Sequence, residues 1–306
     1  MSILTRDKVT EIYCIADDFC QELEKNGTNF QLELSDGKRH RNRRCSMSNS
    51  EIITILVCFQ MGHFRNFKHF YLNYVATTLK SDFPNQLSYS RFIQLQHRII
   101  VPLTLFVQLV GLGSCTGISF VDSMKISVCH NKRIRRNKVF KGIAEIGKST
   151  MGWFYGFKLH LVCNDKGELI DFCITKGNVD DRNPEVFKVL SKKLFGDLYA
   201  DKGYISKDLF ENLFSDGIHI VTGIKSNMKN SLMTLRDKIL LRKRSVIETI
   251  NDELKNICQI EHSRHRSPLN FLINMIAGLA AYCFFDKKPA IKFEMEQPSS
   301  QMVLFG

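Results

Sequence analysis

Apolar positions recur at spacings of three and four through the first hundred or so residues, most clearly in Glu51–Phe59 and Phe92–Ile100, and this pattern predicts a helical amino-terminal region. Ser48, followed three residues later by Glu51, predicts a capping box at the start of the first of these helices, and Pro102 is expected to end or kink the second. The pattern changes at Gly111–Gly117 (GLGSCTG), a composition break of the kind that separates domains. Beyond it, Ile118–Val128, Gly152–Cys163 and Leu169–Thr175 are rich in β-branched and aromatic residues and read as three antiparallel strands, with Asn164–Gly167 as a hairpin turn. A helix opened by Asn183-Pro184, a strand Leu198–Asp201, a helix after Ser206 and a strand Ile218–Gly223 follow. The order βββαβαβ, with helices after it, predicts an α/β fold: a mixed five-stranded sheet flanked by helices. Expected divisions are a helical region over 1–112, the α/β domain over 113–290 and a tail over 291–306.

A chain of 306 residues is long enough for two domains. Its most apolar stretch, Phe271–Phe285, contains Asn274 and falls short of the roughly 20 residues a spanning helix needs. A buried core helix is the better reading, and no signal pattern opens the chain. The 10 cysteines are scattered with no CxxC spacing, which predicts reduced thiols. His262, His265 and Cys258 are too sparse a set to predict zinc. Charge changes the picture more: 43 Lys and Arg against 31 Asp and Glu give a net +12, which favours a polyanionic partner, nucleic acid before a membrane surface.

Three acids stand out against this background. Asp122 lies inside the apolar strand ISFVDSM, where an unpaired buried carboxylate would cost several kcal/mol. In isolation a carboxylate on the solvent face of a half-buried strand is the better reading, and only its company with the other acids changes that. Asp201 ends a second strand in LYADKGY, before Gly203, at the carboxyl edge of the sheet; Asp197 shares its face and is a rival. The helix Arg244–Ile257 places Arg244, Glu248, Asp252 and Lys255 on one face, either an exposed salt-bridged surface or a glutamate completing a metal site. Asp252 and Glu253 are its possible substitutes.

The spacing Arg244, three residues, Glu248, six residues, Lys255 resembles the tyrosine-arginine-glutamate-lysine signature of bacterial insertion-sequence transposases of the Asp-Asp-Glu type. Leu241 stands where the signature has tyrosine. FVDSM, KGNVDDRNPE with YADKGY, and RSVIETINDELK followed by HSRHRSP resemble the same enzymes over about Gly117–Phe285. SNSEIITILVCF and FRNFKHFYL resemble the start of one such family that lacks a large inserted domain before the glutamate. The intervals, 79 residues from Asp122 to Asp201 and 47 from Asp201 to Glu248, suit the ribonuclease H-like sheet of that family (201 − 122; 248 − 201).

The resemblance implies a transposase that cleaves DNA at its element's ends and then uses the freed 3′-hydroxyl to attack target DNA, both at one centre. Asp122, Asp201 and Glu248 are the implied catalytic and metal-binding residues for two magnesium ions, with manganese able to substitute and Asp122 shared between them. The alternatives are a nuclease or resolvase on the same scaffold and a non-catalytic DNA-binding derivative. Double-stranded DNA, as element ends and as target, is the expected partner, with a homodimer in the DNA complex, no membrane, and a bacterial cytoplasmic or nucleoid location. Phosphate contacts are expected from Lys38, Arg39, Arg41, Arg43 and Arg44, from Lys132, Arg133, Arg135, Arg136 and Lys138, from Lys225 and Lys229, and from Arg244 and Lys255. The aromatics of Gly62–Tyr74 are read as helix packing, and Trp153 as a core strand residue that could otherwise stack on an unpaired base.

Overall fold

The computed structural model describes residues 4–26, 45–150, 152–224, 233–261 and 265–291. The amino-terminal region is helical: α1 (Arg6–Lys25), α2 (Asn49–Met61), the short α3 (Phe67–Phe70) running into a π-type turn Tyr71–Val75, and α4 (Tyr89–Phe106) running into another, Val107–Gly111. The capping box is present, with Ser48 accepting from the Glu51 backbone and the Glu51 carboxylate accepting from Ser48 N–H at 2.6 Å. Pro102 does not end α4 but lies buried inside it. Phe92, Leu95, Ile99, Leu103 and Phe106 are all buried along that helix, and their packing outweighs the roughly 3 kcal/mol that an internal proline costs. The Gly62–Tyr74 aromatics pack with their neighbours: the Phe64 and Phe70 centroids lie 4.9 Å apart, and those of Tyr71 and Phe92 4.8 Å.

The α/β part follows as β1 (Ile118–Cys129), β2 (Glu145–Ser149), β3 (Gly152–Asn164), β4 (Leu169–Lys176), α5 (Pro184–Leu190), β5 (Gly196–Ala200), α6 (Lys207–Ser215) and β6 (Ile218–Thr222). Three further helices close it: α7 (Leu235–Lys243), α8 (Ser245–Asn256) and α9 (Pro268–Cys283). β1 pairs antiparallel with β3 and parallel with β5, which pairs parallel with β6. The other edge of β3 is divided between β2 and β4. The sheet among the described residues has six strands, not the expected five. The added strand, β2, reads EIGKS; short, charged and interrupted by glycine, it carries no alternation that sequence could register.

The sheet has two different faces. On one, Val121, Val162, Leu198 and Ala200 pack with α5 and α6. On the other, Phe120, Met124, Ile126, Leu159 and Leu161 share a core with α8, α9 and the amino-terminal helices. The apolar stretch expected to be a core helix is α9, buried from Ile273 to Tyr282. It packs against both α2 and α4, and Gln60 of α2 donates to Asn274 Oδ1 at 2.7 Å. One core therefore runs from the amino-terminal helices into the sheet. The stretch Tyr89–Gly111 is long and apolar enough to cross a membrane by length and composition alone, but α4 packs against α9 here.

Candidate active site

Strand pairing aligns the first two acids. β1 and β5 run parallel with Phe120 opposite Tyr199, and these rings stack at 5.6 Å on the face that looks toward α8. Asp122 and Asp201 each lie two residues further on, so strand alternation directs both toward that same face, just where β5 ends and leaves β1. Asp201 is exposed and opens a 3-10 turn, Lys202–Tyr204, with no capping bond from its carboxylate.

The third acid comes from α8, which packs on β1. Arg244 is the joint between α7 and α8. Its guanidinium pairs with Glu248 at 2.5 Å and lies 3.8 Å from Asp122, so it stands between the two carboxylates. Asn251, one turn after Glu248, is buried and donates from Nδ2 to Asp122 Oδ2 at 2.9 Å. Asn251 escaped the sequence reading. Its only signal was its place three residues beyond Glu248 on the same helix face.

Electrostatics tie the three acids together. Although 24% of the Asp122 side chain remains accessible, burial dominates its surroundings and lifts its pKa to about 6. Arg244 and the Ser123 backbone pull the other way, while Glu248 and Asp201 push it further up. Asp122 is thus under-neutralised by its protein partners. As the side chains stand, no three carboxylate, imidazole or thiol groups among the described residues converge closely enough to hold one ion. Glu248 is turned onto Arg244, and 55% of its side chain is exposed.

The rival acids are placed differently. Asp197 sits at the opposite end of β5 from Asp201 and pairs with Arg236 at 2.7 Å and His219 at 3.4 Å. Asp252 is exposed and accepts from Asn256, while Glu253 is half-buried and acts on Cys258 and Tyr282. Behind Asp122, on the far face of the sheet, Tyr204 is buried, and burial above all, with Asp122 and Asp181, holds its phenol well above the ordinary range. Nearby, the KGNVDDRN segment is fastened to the sheet. Lys158 donates to Val179 O at 2.8 Å and to Asp181 at 3.0 Å, and Asp180 grips Arg182 through two bonds of 2.8 and 2.9 Å. His160, fully buried, bonds Thr175 at 2.8 Å; burial lowers its pKa to about 4, so it is neutral at pH 7.

The basic residues divide into groups. Lys132, Arg133, Arg135 and Arg136 form an exposed 3-10 turn, Asn131–Arg136, with Lys138 exposed beside it. Arg244 faces the carboxylates rather than solvent, and Lys255 lies 3.9 Å from Glu261. Lys38, Arg39, Arg41, Arg43, Arg44, Lys225 and Lys229 lie outside the described residues. Trp153, expected in the core, is instead 62% exposed at the start of β3. Its strand is central for most of its length, but this end reaches beyond the packed core.

A mixed sheet in this strand order, with α8 packed on β1, is the ribonuclease H-like arrangement. Residues 112–268 match the sequence profile of the family described as Transposase DDE domain, and the chain belongs to that family. A solved piggyBac transposase synaptic complex with hairpin DNA is similar at 12% identity and a TM-score of 0.45, over 91% of this chain and 71% of that one. No curated protein is significantly similar in sequence.

Proposed function

We propose that this transposase cuts DNA at the ends of its own insertion sequence in a metal-dependent reaction and joins the freed 3′-hydroxyl to target DNA. The observation that carries this reading is geometric: Asp122 and Asp201 lie toward one face of the sheet where β5 ends, with α8 and its Glu248 packed on that face, and burial raises the Asp122 pKa. A site built to stay charged without a ligand would be neutralised more fully.

The donor set fits hard divalent ions, since oxygen ligands with no thiol or imidazole suit magnesium, with manganese as its substitute. Asp122, Asp201 and Glu248 would hold two such ions, with Asp122 shared. Bound there, the metals supply charge stabilisation at the leaving oxygen and a more acidic nucleophile. The chain's own residues do the positioning. Asn251 fixes one oxygen of Asp122, leaving the other toward Arg244. Glu248 has to release Arg244 before it joins the aspartates, a rotation that its exposed position permits. The freed guanidinium is then available for a DNA phosphate. The exposed turn Asn131–Arg136 and Lys138 supply further phosphate contacts. Two element ends brought together call for a homodimer on DNA.

The test uses duplexes carrying the DNA that flanks this gene. Asp122→Asn, Asp201→Asn and Glu248→Gln are each expected to abolish magnesium- or manganese-dependent nicking while DNA affinity stays within a few-fold. An active single variant removes that residue from the centre. Pre-nicked ends should be joined to target DNA; water-dependent cutting with no joining would assign a nuclease instead.

A further inference from the structure

β5 pairs with β1 only from Ile118 to Phe120, so beyond Asp122 this edge of β1 has no strand partner among the described residues. A groove of about 590 Å³ follows that open edge. Lys125 and Ser127 of β1 line it together with Lys255, Glu261, Arg65 and Trp153. It shares both of its main elements with the acids. Lys125 is three residues from Asp122 on β1, about 10 Å at the rise of a strand, and Lys255 is two helical turns from Glu248 on α8.

The lining is held in place. The Ser127 backbone N–H donates to Glu261 Oε1 at 3.2 Å, so the unpaired strand edge is capped by the same carboxylate that sits 3.9 Å from Lys255. Asn131 Nδ2 donates to the Trp153 carbonyl at 2.8 Å, and Lys148 lies 5.6 Å from the indole centroid. Gln259, also in the lining, has φ +49, a conformation that non-glycine residues adopt only when their surroundings impose it. An indole left 62% exposed is unusual in a strand whose remaining aromatics, Phe154, Tyr155 and Phe157, are buried.

An open aromatic face flanked by lysine and arginine is a stacking platform with phosphate neutralisation at its sides, the combination that binds unpaired nucleotides without regard to sequence. In blunt duplex every base face but those of the two terminal pairs is already stacked on a neighbour. We propose that this groove binds unpaired nucleotides of a DNA strand, with a base stacked on Trp153 and the backbone against Lys125, Arg65 and Lys255. The inference rests on DNA being the substrate of the adjacent acids. It adds that a strand leaving them is received single-stranded.

Trp153 is the only tryptophan in the chain, so its emission reports on the groove alone. The full-length protein, in chelator to prevent cutting, is titrated with an oligothymidylate of about 8 nucleotides, a length suited to one binding platform. Quenching of Trp153 emission is expected, with little change on adding blunt duplex. By anisotropy of a labelled oligothymidylate, Trp153→Ala should weaken binding about tenfold, as loss of one stacked base implies, and Trp153→Phe should retain most of it. Blunt-duplex affinity should stay within about twofold in both variants, which also shows that they fold. Unquenched emission, equal quenching by blunt duplex, or unchanged oligothymidylate affinity in Trp153→Ala overturns the proposal. Asp122-dependent cutting measured separately keeps the two readings apart: cutting without quenching removes the groove alone, and quenching without cutting removes the strand-transfer reading alone.

Discussion

Asp122 is held where a carboxylate is costly, and its stability should therefore depend on pH in an unusual direction. Its folded pKa of about 6 lies above the ordinary 3.8. Between these values the folded chain keeps a proton that the unfolded chain has released, so stability falls as pH rises through that window, and the cost is complete above it. In chelator-treated protein, Asp122→Asn should raise stability at pH 7 to 8 by about 1 to 3 kcal/mol, with the gain disappearing below roughly pH 4. Chemical denaturation at the two pH values checks this; a destabilised variant at high pH would show that Arg244 and Asn251 compensate the charge. Asn251→Ala removes the donor that orients Asp122. It should slow nicking by roughly tenfold or more with DNA affinity unchanged, because misplaced ligands cost rate rather than binding. Unaltered nicking would make Asn251 merely a packing residue.

Among the elements, β3 is the one on which the site depends, since it carries β1 on one edge and both β2 and β4 on the other. Gly156 sits where three strands meet, and a Cβ there would come 2.0 Å from the Ile126 carbonyl oxygen. Backbone cannot yield as a side-chain tip can. Gly156→Ala should cost at least about 2 kcal/mol in denaturant unfolding, and a smaller loss would mean that β1 is free to shift. The elements also show how far periodicity reaches. Ser48, Asn183 and Ser206 cap the helices expected of them because capping is a local bond between neighbours in sequence. That Pro102 lies inside α4 rather than ending it, and that β2 forms at all, have the opposite reason. A proline inside a helix and a polar edge strand are both decided by what packs or pairs with them from elsewhere in the chain.

For the whole molecule, the shared core has a consequence that a division near residue 112 would hide. α9 lies between the sheet and the amino-terminal helices, and its buried face touches both. A fragment beginning at Gly113 would leave that face open to water. It should be insoluble or lack cooperative unfolding, whereas the full chain unfolds with Trp153 emission and helix content changing together. A well-folded fragment would make the two regions independent. The net charge of +12 acts on this scale as well. DNA affinity should fall steeply with salt, and replacing Lys132, Arg133, Arg135 and Arg136 together by alanine should reduce the slope of log affinity against log salt by about 2 to 4. An unchanged slope would place DNA elsewhere.

Sequence alone determined the order of helices and strands apart from β2, the two strand aspartates and the glutamate helix. Each of these is written in short-range pattern: a two-residue or three-to-four-residue period, a cap, a charge stranded in an apolar run. Tertiary structure alone decided that Asp122 comes level with Asp201 across a parallel pair, that Arg244 stands between two carboxylates, and that Trp153 faces outward above a basic groove. The pairs that decide these relations, Asp122 with Asp201, Asp122 with Arg244 and Trp153 with Lys255, lie 79, 122 and 102 positions apart (201 − 122; 244 − 122; 255 − 153), and no periodicity spans such distances; they exist only once the sheet has chosen its neighbours and the core has closed around α9.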